Sequence, residues 1–234
     1  MRTDVTLIDH GAPPIALPVT RQPKQLLQRV LIMQLTYAAA SPFARKVRVL
    51  AIETGLIQRM ELIDTAVLPI TQNEQVNALN PLGKVPVLLT DVGEVLYDSR
   101  VICEYLDSLH DRPRLYPAEA TARWRSLRLA ALADGLMEAA LLVRYERAVR
   151  PAELQWKDWA EGQLGKVRRA LMTLEQQAAE LQGPLNIAQI AVACALGYLD
   201  FRFAELEWRH GAPELASFQA GFAARESMKI TAPM

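Results

Sequence analysis

Cysteine and histidine are scarce in this chain. The two cysteines, Cys103 and Cys194, stand far apart in helix-like patterns, and His10, His110 and His210 show no metal-ligand spacing. Nothing here supports a disulfide framework or a zinc site. The expectation is no metal, with both thiols serving as small buried hydrophobes in a reducing compartment. Neither sign of charge is in surplus: 26 Lys and Arg balance 26 Asp and Glu. Proteins that work on nucleic acid or anionic membranes carry a basic excess, so neither partner is expected. Long apolar runs are missing too. No stretch approaches the ~18 to 20 residues of a membrane span. The first residues, MRTDVTLIDHGAPPIALPV, lack the continuous apolar stretch of a secretory signal. A cytoplasmic protein is expected.

What is present is apolar sequence with clear periods, enough in 234 residues for one large domain or two small ones. Residues 1–30 hold Pro13, Pro14, Pro18 and Pro23 without sustained periodicity and read as an upstream extension or loosely attached arm, poorly ordered. From residue 31 the pattern is strand (31–37), loop, helix (42–55), the strand RMELIDT and the helix-like ITQNEQVNAL. A hairpin of VPVLLTD and EVLYD turns at Gly93. SRVICEYLDSL then reads as a helix with Val101, Ile102, Tyr105, Leu106 and Leu109 on one face. This βαβαββα order is a mixed α/β unit over 31–112. HDRPRLYP is a linker. Residues 113–234 are helical throughout, with a new helix expected at Pro151 and the next one running to the Gly183-Pro184 stop. NIAQIAVACALGYLDFRFAEL, apolar nearly all round, is the expected buried centre of that half. Its start is well specified: Asn186 can cap, Gln189 can answer three residues on, and Leu185 can staple onto Ile190.

Three short motifs carry chemistry. In TYAAASPFARKVRVL, Ser41 and Pro42 make a good helix start, and that bland reading is sufficient. The same geometry also makes an anion site, with free backbone N–H groups, the positive end of the helix and the Ser41 hydroxyl facing one spot. In NPLGKVPVLL the Val85-Pro86 bond is trans by base rate, cis being about 5 to 6% of such bonds. Were it cis, Val85 would turn its backbone outward and could pair with an extended peptide. In LYDSRVICEYL, Asp98 or Ser99 caps a helix. Alternatively, the Asp98 carboxylate takes an ammonium and Ser99 a carboxylate, the two ends of an amino acid.

SPFARKVRV, NPLGKVPVL, DSRVICEYL and NIAQIAVACALGYLDFR, in this order and spacing, resemble the cytosolic glutathione S-transferases of bacterial type over Met33 to Pro233. The resemblance implies a thioredoxin-like βαβαββα N-terminal domain and an all-helical C-terminal domain, with glutathione on the first and a small hydrophobic electrophile in the cleft between. It implies a cis Val85-Pro86 bond, Val85 pairing with the cysteinyl backbone and Asp98 with Ser99 holding the γ-glutamyl end. It also puts Lys84 near the glycyl or cysteinyl portion, Phe43 lining the site and Ser41 facing the sulfur. Tyr37 is the alternative catalytic residue, since Ala38, Ala39 and Ala40 leave no hydroxyl between them. Trp124, Arg128 and Tyr145 on the long helix after Pro117 are candidate neighbours of the electrophile, and a homodimer carries over by analogy. The family's capping box has Ser or Thr followed by Asp, where this chain has Asn186 and Gln189. The resemblance thus implies a transferase that activates the glutathione thiolate, with glutathione as co-substrate. Alternatives are a non-catalytic interaction module of the same fold, or a glutathione-dependent peroxidase or isomerase. A thiol oxidoreductase is disfavoured because position 41 is not cysteine.

Overall fold

The computed structural model describes residues 32–233; the expectation for residues 1–30, and the first residue of the expected strand 31–37, lie outside them. β1 (Met33–Tyr37) buries Met33 and Leu35. It leads through a short loop to α1 (Pro42–Glu53), whose first turn is capped by Ser41 and opened by Pro42. β2 (Met60–Asp64) returns parallel to β1, so α1 is the crossover that a parallel pair requires. After the short α2 (Glu74–Leu79), β3 (Val87–Leu89) and β4 (Val95–Leu96) form the hairpin. Its turn needs the left-handed backbone of Gly93, φ 89°, which a side chain would resist. β3 runs antiparallel to β1, giving the sheet order β2-β1-β3-β4. α3 (Ser99–Asp107) completes the expected βαβαββα order.

One detail of α3 differs from the sequence reading. Val101 is exposed, and Cys103 joins Ile102 and Leu106 on the fully buried stripe. The helix is rotated so that its buried face also takes in Ser99 and Asp107. Asp107 then serves the linker: its carboxylate accepts from the backbone N–H of Leu115 (2.7 Å) and Tyr116 (3.2 Å). The Leu115 carbonyl in turn accepts from Ile187 N–H at 2.9 Å, so the linker is tied to both halves.

The helical half comprises α4 (Ala120–Ala148), α5 (Lys157–Gln176), α6 (Ile187–Arg202), α7 (Pro213–Ala223) and α8 (Glu226–Ile230). Pro151 opens only a 3-10 turn, Ala152–Leu154, and the helix proper begins at Lys157. There the Glu146 carboxylate receives the Trp156 N–H and holds the chain out of the helical path. α5 likewise stops at Gln176, and a separate 3-10 turn, Ala178–Leu181, fills the distance to Gly183. α6 is the buried centre, with every residue from Ile187 to Leu199 inaccessible or nearly so. It packs between α4, α1 and α7 in one hydrophobic core that is continuous with that of the sheet. No single helix among the described residues is long and apolar enough to cross a membrane.

The capping box forms as the sequence indicates. Asn186 Oδ1 accepts from Ala188 and Gln189 N–H (2.9 and 3.3 Å), and Gln189 Oε1 accepts from Asn186 N–H at 2.9 Å. The amide pair does one thing more: Gln189 Nε2 donates to the Leu181 carbonyl at 2.8 Å, anchoring the preceding turn. Asn186→Ala should therefore cost about 0.5–2 kcal/mol, while Asn186→Ser should stay close to the parent protein. Thermal unfolding of the two variants checks this; equal midpoints would remove the cap from the account.

Candidate active site

Strand directions gather the three motifs. β1 and β3 are antiparallel with Thr36 opposite Val87, and β3 and β4 are antiparallel with Leu88 opposite Leu96. The end of β1, the start of β3 and the end of β4 therefore share one edge of the sheet. Ser41, Val85 and the Asp98-Ser99 pair each lie within a few residues of that edge. The loop 38–40 is held there by Thr65 N–H donating to the Tyr37 carbonyl (2.8 Å) and by Ala39 N–H donating to Asp64 Oδ1 (3.3 Å).

At Ser41 the capping and the functional readings are compatible. The hydroxyl oxygen accepts from Ala44 N–H at 3.2 Å, and its own proton finds no acceptor among the described residues. The same group can cap α1 and donate outward. Asp98 is similar: Oδ1 accepts from Arg100 N–H at 2.8 Å, which makes Asp98 the cap of α3, while Oδ2 has no partner among the described residues and faces solvent. Ser99 is buried as the first residue of α3. The Val85-Pro86 bond is cis, as the resemblance implies and against the base rate. Neither the N–H nor the carbonyl of Val85 has a hydrogen-bond partner among the described residues. The Lys84 side chain is exposed, and its carbonyl is fixed by Asn80 Nδ2 at 2.9 Å.

Beside Ser41 lies a small cavity of about 10 Å³, room for one water or a sulfur-sized group but not a tripeptide. Ala39, Ala40 and Pro42 form one wall; Arg45, Cys194, Tyr198 and Pro233 form the other. Tyr37 is absent from this lining; its ring lies under the Arg48 guanidinium, 4.7 Å from the centroid. Phe43 is also absent and packs half-buried on the core. The expected neighbours on α4 are elsewhere. Trp124 is exposed, and Arg128 turns to Gln177 and Glu180. Tyr145 is half-buried, with burial raising its hydroxyl pKa, and is likewise absent from the lining. Burial pushes the Tyr198 hydroxyl up to about 12, so it is a protonated donor at neutral pH.

Burial also pushes the Cys194 thiol up to about 11 and the Cys103 thiol to about 12. The thiolate is the reacting species, so neither is a nucleophile at neutral pH. Native protein exposed to iodoacetamide should gain no alkyl group by mass, and unfolded protein should gain two. Native modification of Cys194 would show that the cavity opens to reagents from solution.

A buried ionic cluster joins the sheet edge to the helical half. Asp134 on α4 accepts from Lys46 Nζ of α1 at 2.6 Å and from Arg100 Nε of α3 at 2.8 Å. Lys46 and Asp134 are both about 1% exposed, whereas Arg100 is half-exposed and also meets Glu138 at 3.1 Å. The cluster fixes the first turn of α3, next to Ser99. Sequence reading did not find Arg45, Lys46, Arg100, Asp134 or Tyr198. Two signals were there: a lone acid inside LAALADGLM, and the adjacent basic pair Arg45-Lys46 among the apolar residues of α1.

Comparison with known proteins gives a consistent result. Residues 40–109 match the family described as "Glutathione S-transferase, N-terminal domain" and residues 157–218 its C-terminal domain. An uncharacterized GST-like protein, YibF of Escherichia coli K12, is 37% identical over 204 residues, 86% of this chain and 98% of its own. A crystal structure of a glutathione transferase family member from Pseudomonas fluorescens Pf-5, with bound glutathione, is 50% identical. It covers 86% of this chain and 99% of its own at a TM-score of 0.85. A structure from the same organism with bound S-(propanoic acid)-glutathione is 49% identical at a TM-score of 0.81, covering 86% of this chain and all of its own.

Proposed function

The chain belongs to the glutathione S-transferase family, and from that premise we propose that it binds glutathione and activates the thiol for attack on a small hydrophobic electrophile. The observation that carries this reading is Ser41: a hydroxyl at the N-terminus of α1 whose oxygen is engaged by Ala44 N–H and whose proton meets no acceptor among the described residues, leaving it to an anion. Val85 pairs with the cysteinyl backbone of glutathione, and Asp98 and Ser99 take the ammonium and carboxylate of the γ-glutamyl end. Lys84 lies along the glycyl side, and Phe43 supports the site from the core. Ser41 is the catalytic residue in preference to Tyr37, whose ring is engaged by Arg48. Tyr198 and Pro233 form part of the electrophile site.

A free thiol titrates near ~8.5, leaving only a few per cent thiolate at neutral pH. Lowering that by ~2 units takes about 2.7 kcal/mol of preference for the anion. A helix N-terminus contributes about 0.3–2 kcal/mol and a hydrogen bond to a charged sulfur about 1.5–3, so no general base is required. The thiol proton leaves to solvent. The sulfur then forms a bond to the electrophilic carbon, and the leaving group departs with its electron pair. The same reading includes a cytoplasmic site of action and a homodimer. Exposed Val101 and Trp124, on the outer faces of α3 and α4, are apolar surface available to a second copy.

The test is a titration of glutathione-saturated protein, following thiolate absorbance against pH. A bound thiol titrating one to two units below free glutathione is the expected result. Binding without that shift would rule out thiolate activation, and no binding would favour a non-catalytic interaction module.

A further inference from the structure

Arg45 is a buried cation that meets no carboxylate among the described residues. It sits one turn after Ser41 on the same side of α1, its backbone N–H donating to the Ser41 carbonyl at 2.9 Å. The residue is about 92% removed from solvent. Among the described residues every acceptor it meets is neutral: Nη2 donates to the Met228 carbonyl at 3.0 Å and Nε to Thr231 Oγ1 at 3.4 Å. No carboxylate of the described residues lies within ion-pair distance, whereas the neighbouring buried cation, Lys46, is paired with Asp134. Buried guanidinium groups are ordinarily matched by an anion, because desolvating one costs several kcal/mol.

The surroundings keep the guanidinium where it is. α6 carries glycine at position 197, and a Cβ there would stand 2.6 Å from Arg45 Nη1. The close approach of helix and guanidinium requires the missing side chain. On its other side Arg45 lines the cavity that Ser41 also lines. Three sources of positive potential therefore converge on a sulfur-sized space: the start of α1, the Ser41 hydroxyl proton and a buried cation with no carboxylate partner among the described residues.

We propose that Arg45 is a positioning residue for the chemistry at Ser41, supplying through space the counter-charge of the glutathione thiolate. The inference rests on the glutathione-activating reading above and adds a residue to it. In this arrangement the anion that balances Arg45 arrives with the substrate. The empty site bears an uncompensated charge, and thiolate formation relieves it. The group favours the ionised over the protonated thiol without touching either, so it acts on the ionisation more than on affinity.

The experiment compares thiolate titrations of bound glutathione in the parent protein, Arg45→Met, Arg45→Lys and Gly197→Ala, together with glutathione affinity below the thiol midpoint and unfolding temperature. Arg45→Met should raise the midpoint by about one pH unit, a tenfold change in the thiol's ionisation constant. Affinity for the protonated thiol should stay within about twofold, and the ligand-free protein should unfold no earlier, since a desolvated charge has gone. Arg45→Lys should restore most of the shift. Gly197→Ala, which displaces the flexible end of Arg45 without deleting it, should move the midpoint in the same direction by less. It carries the test if Arg45→Met fails to fold. A depressed midpoint in the parent protein that both Arg45→Met and Gly197→Ala leave unchanged overturns the role of Arg45 and leaves the transferase reading standing. An undepressed midpoint in the parent protein overturns both.

Discussion

Ser41→Ala should lower the second-order rate of conjugation with an activated aryl halide by about 10- to 150-fold, the loss of one hydrogen bond to a charged sulfur at about 1.5–3 kcal/mol. Glutathione affinity should change little, because the proposed grip is that of the Val85 backbone and the Asp98-Ser99 pair. The bound thiol should titrate about one to two units higher, so activity recovers as pH rises toward the new midpoint. Ser41 also caps α1, and alanine removes that contact with Ala44 N–H, at about 0.5–2 kcal/mol of stability. Ser41→Asp separates the two roles. Aspartate is as good a cap as serine, so the fold keeps its stability. Its carboxylate, however, repels a thiolate and donates no proton, so the midpoint should rise further than in the alanine variant. If both variants titrate like the parent protein, the hydroxyl has no part in activation.

What the sequence discloses and what it hides divide by distance along the chain. The Ser41-Pro42 helix start, the Gly93 turn and the Asn186/Gln189 box each involve residues a few positions apart, and local chemistry determines them. The βαβαββα order follows from such pieces, since short connections leave a mixed sheet few ways to pair. The Lys46–Asp134 pair joins residues 88 apart, and Arg45 meets the C-terminal segment across 183 and 186 positions. No periodicity announces those meetings. The failures at Val101 and Pro151 have a related cause. Val101 fits an apolar stripe by spacing, but the packing of α3 against α1 selects a face shifted toward Cys103. Pro151 suits a helix start, but Glu146, five residues earlier on α4, takes up the Trp156 N–H and delays the helix. In the site, the donors could be read locally and the second wall of the cavity could not, because α6 and Pro233 reach Ser41 only through the tertiary fold.

The largest effect on stability should come from Asp134. Removing it by Asp134→Leu leaves Lys46 buried with no other partner among the described residues. Breaking a buried pair in this way costs about 3–5 kcal/mol, a large share of the ~5–15 kcal/mol that holds a domain together. At about 2–4 °C per kcal/mol for a chain of this size, the unfolding midpoint should fall by about 6–20 °C. Lys46→Met should cost less, because Asp134 keeps Arg100 at 2.8 Å. Arg100 itself contributes little to the asymmetry: it is half-exposed, reaches Glu138 and can turn to water. The informative variant is therefore the double one. Lys46→Met with Asp134→Leu replaces both charges by apolar groups of similar size, which buried pairs elsewhere tolerate with little loss. It should recover most of what Asp134→Leu alone loses. A double variant as unstable as the sum of the singles would mean that the two residues act independently, and that Asp134 is needed for Arg100 and the first turn of α3 instead. Glutathione affinity then separates the cases, because a disturbed α3 start should weaken the grip proposed for Asp98 and Ser99, whereas a repacked Lys46–Asp134 site should leave it intact.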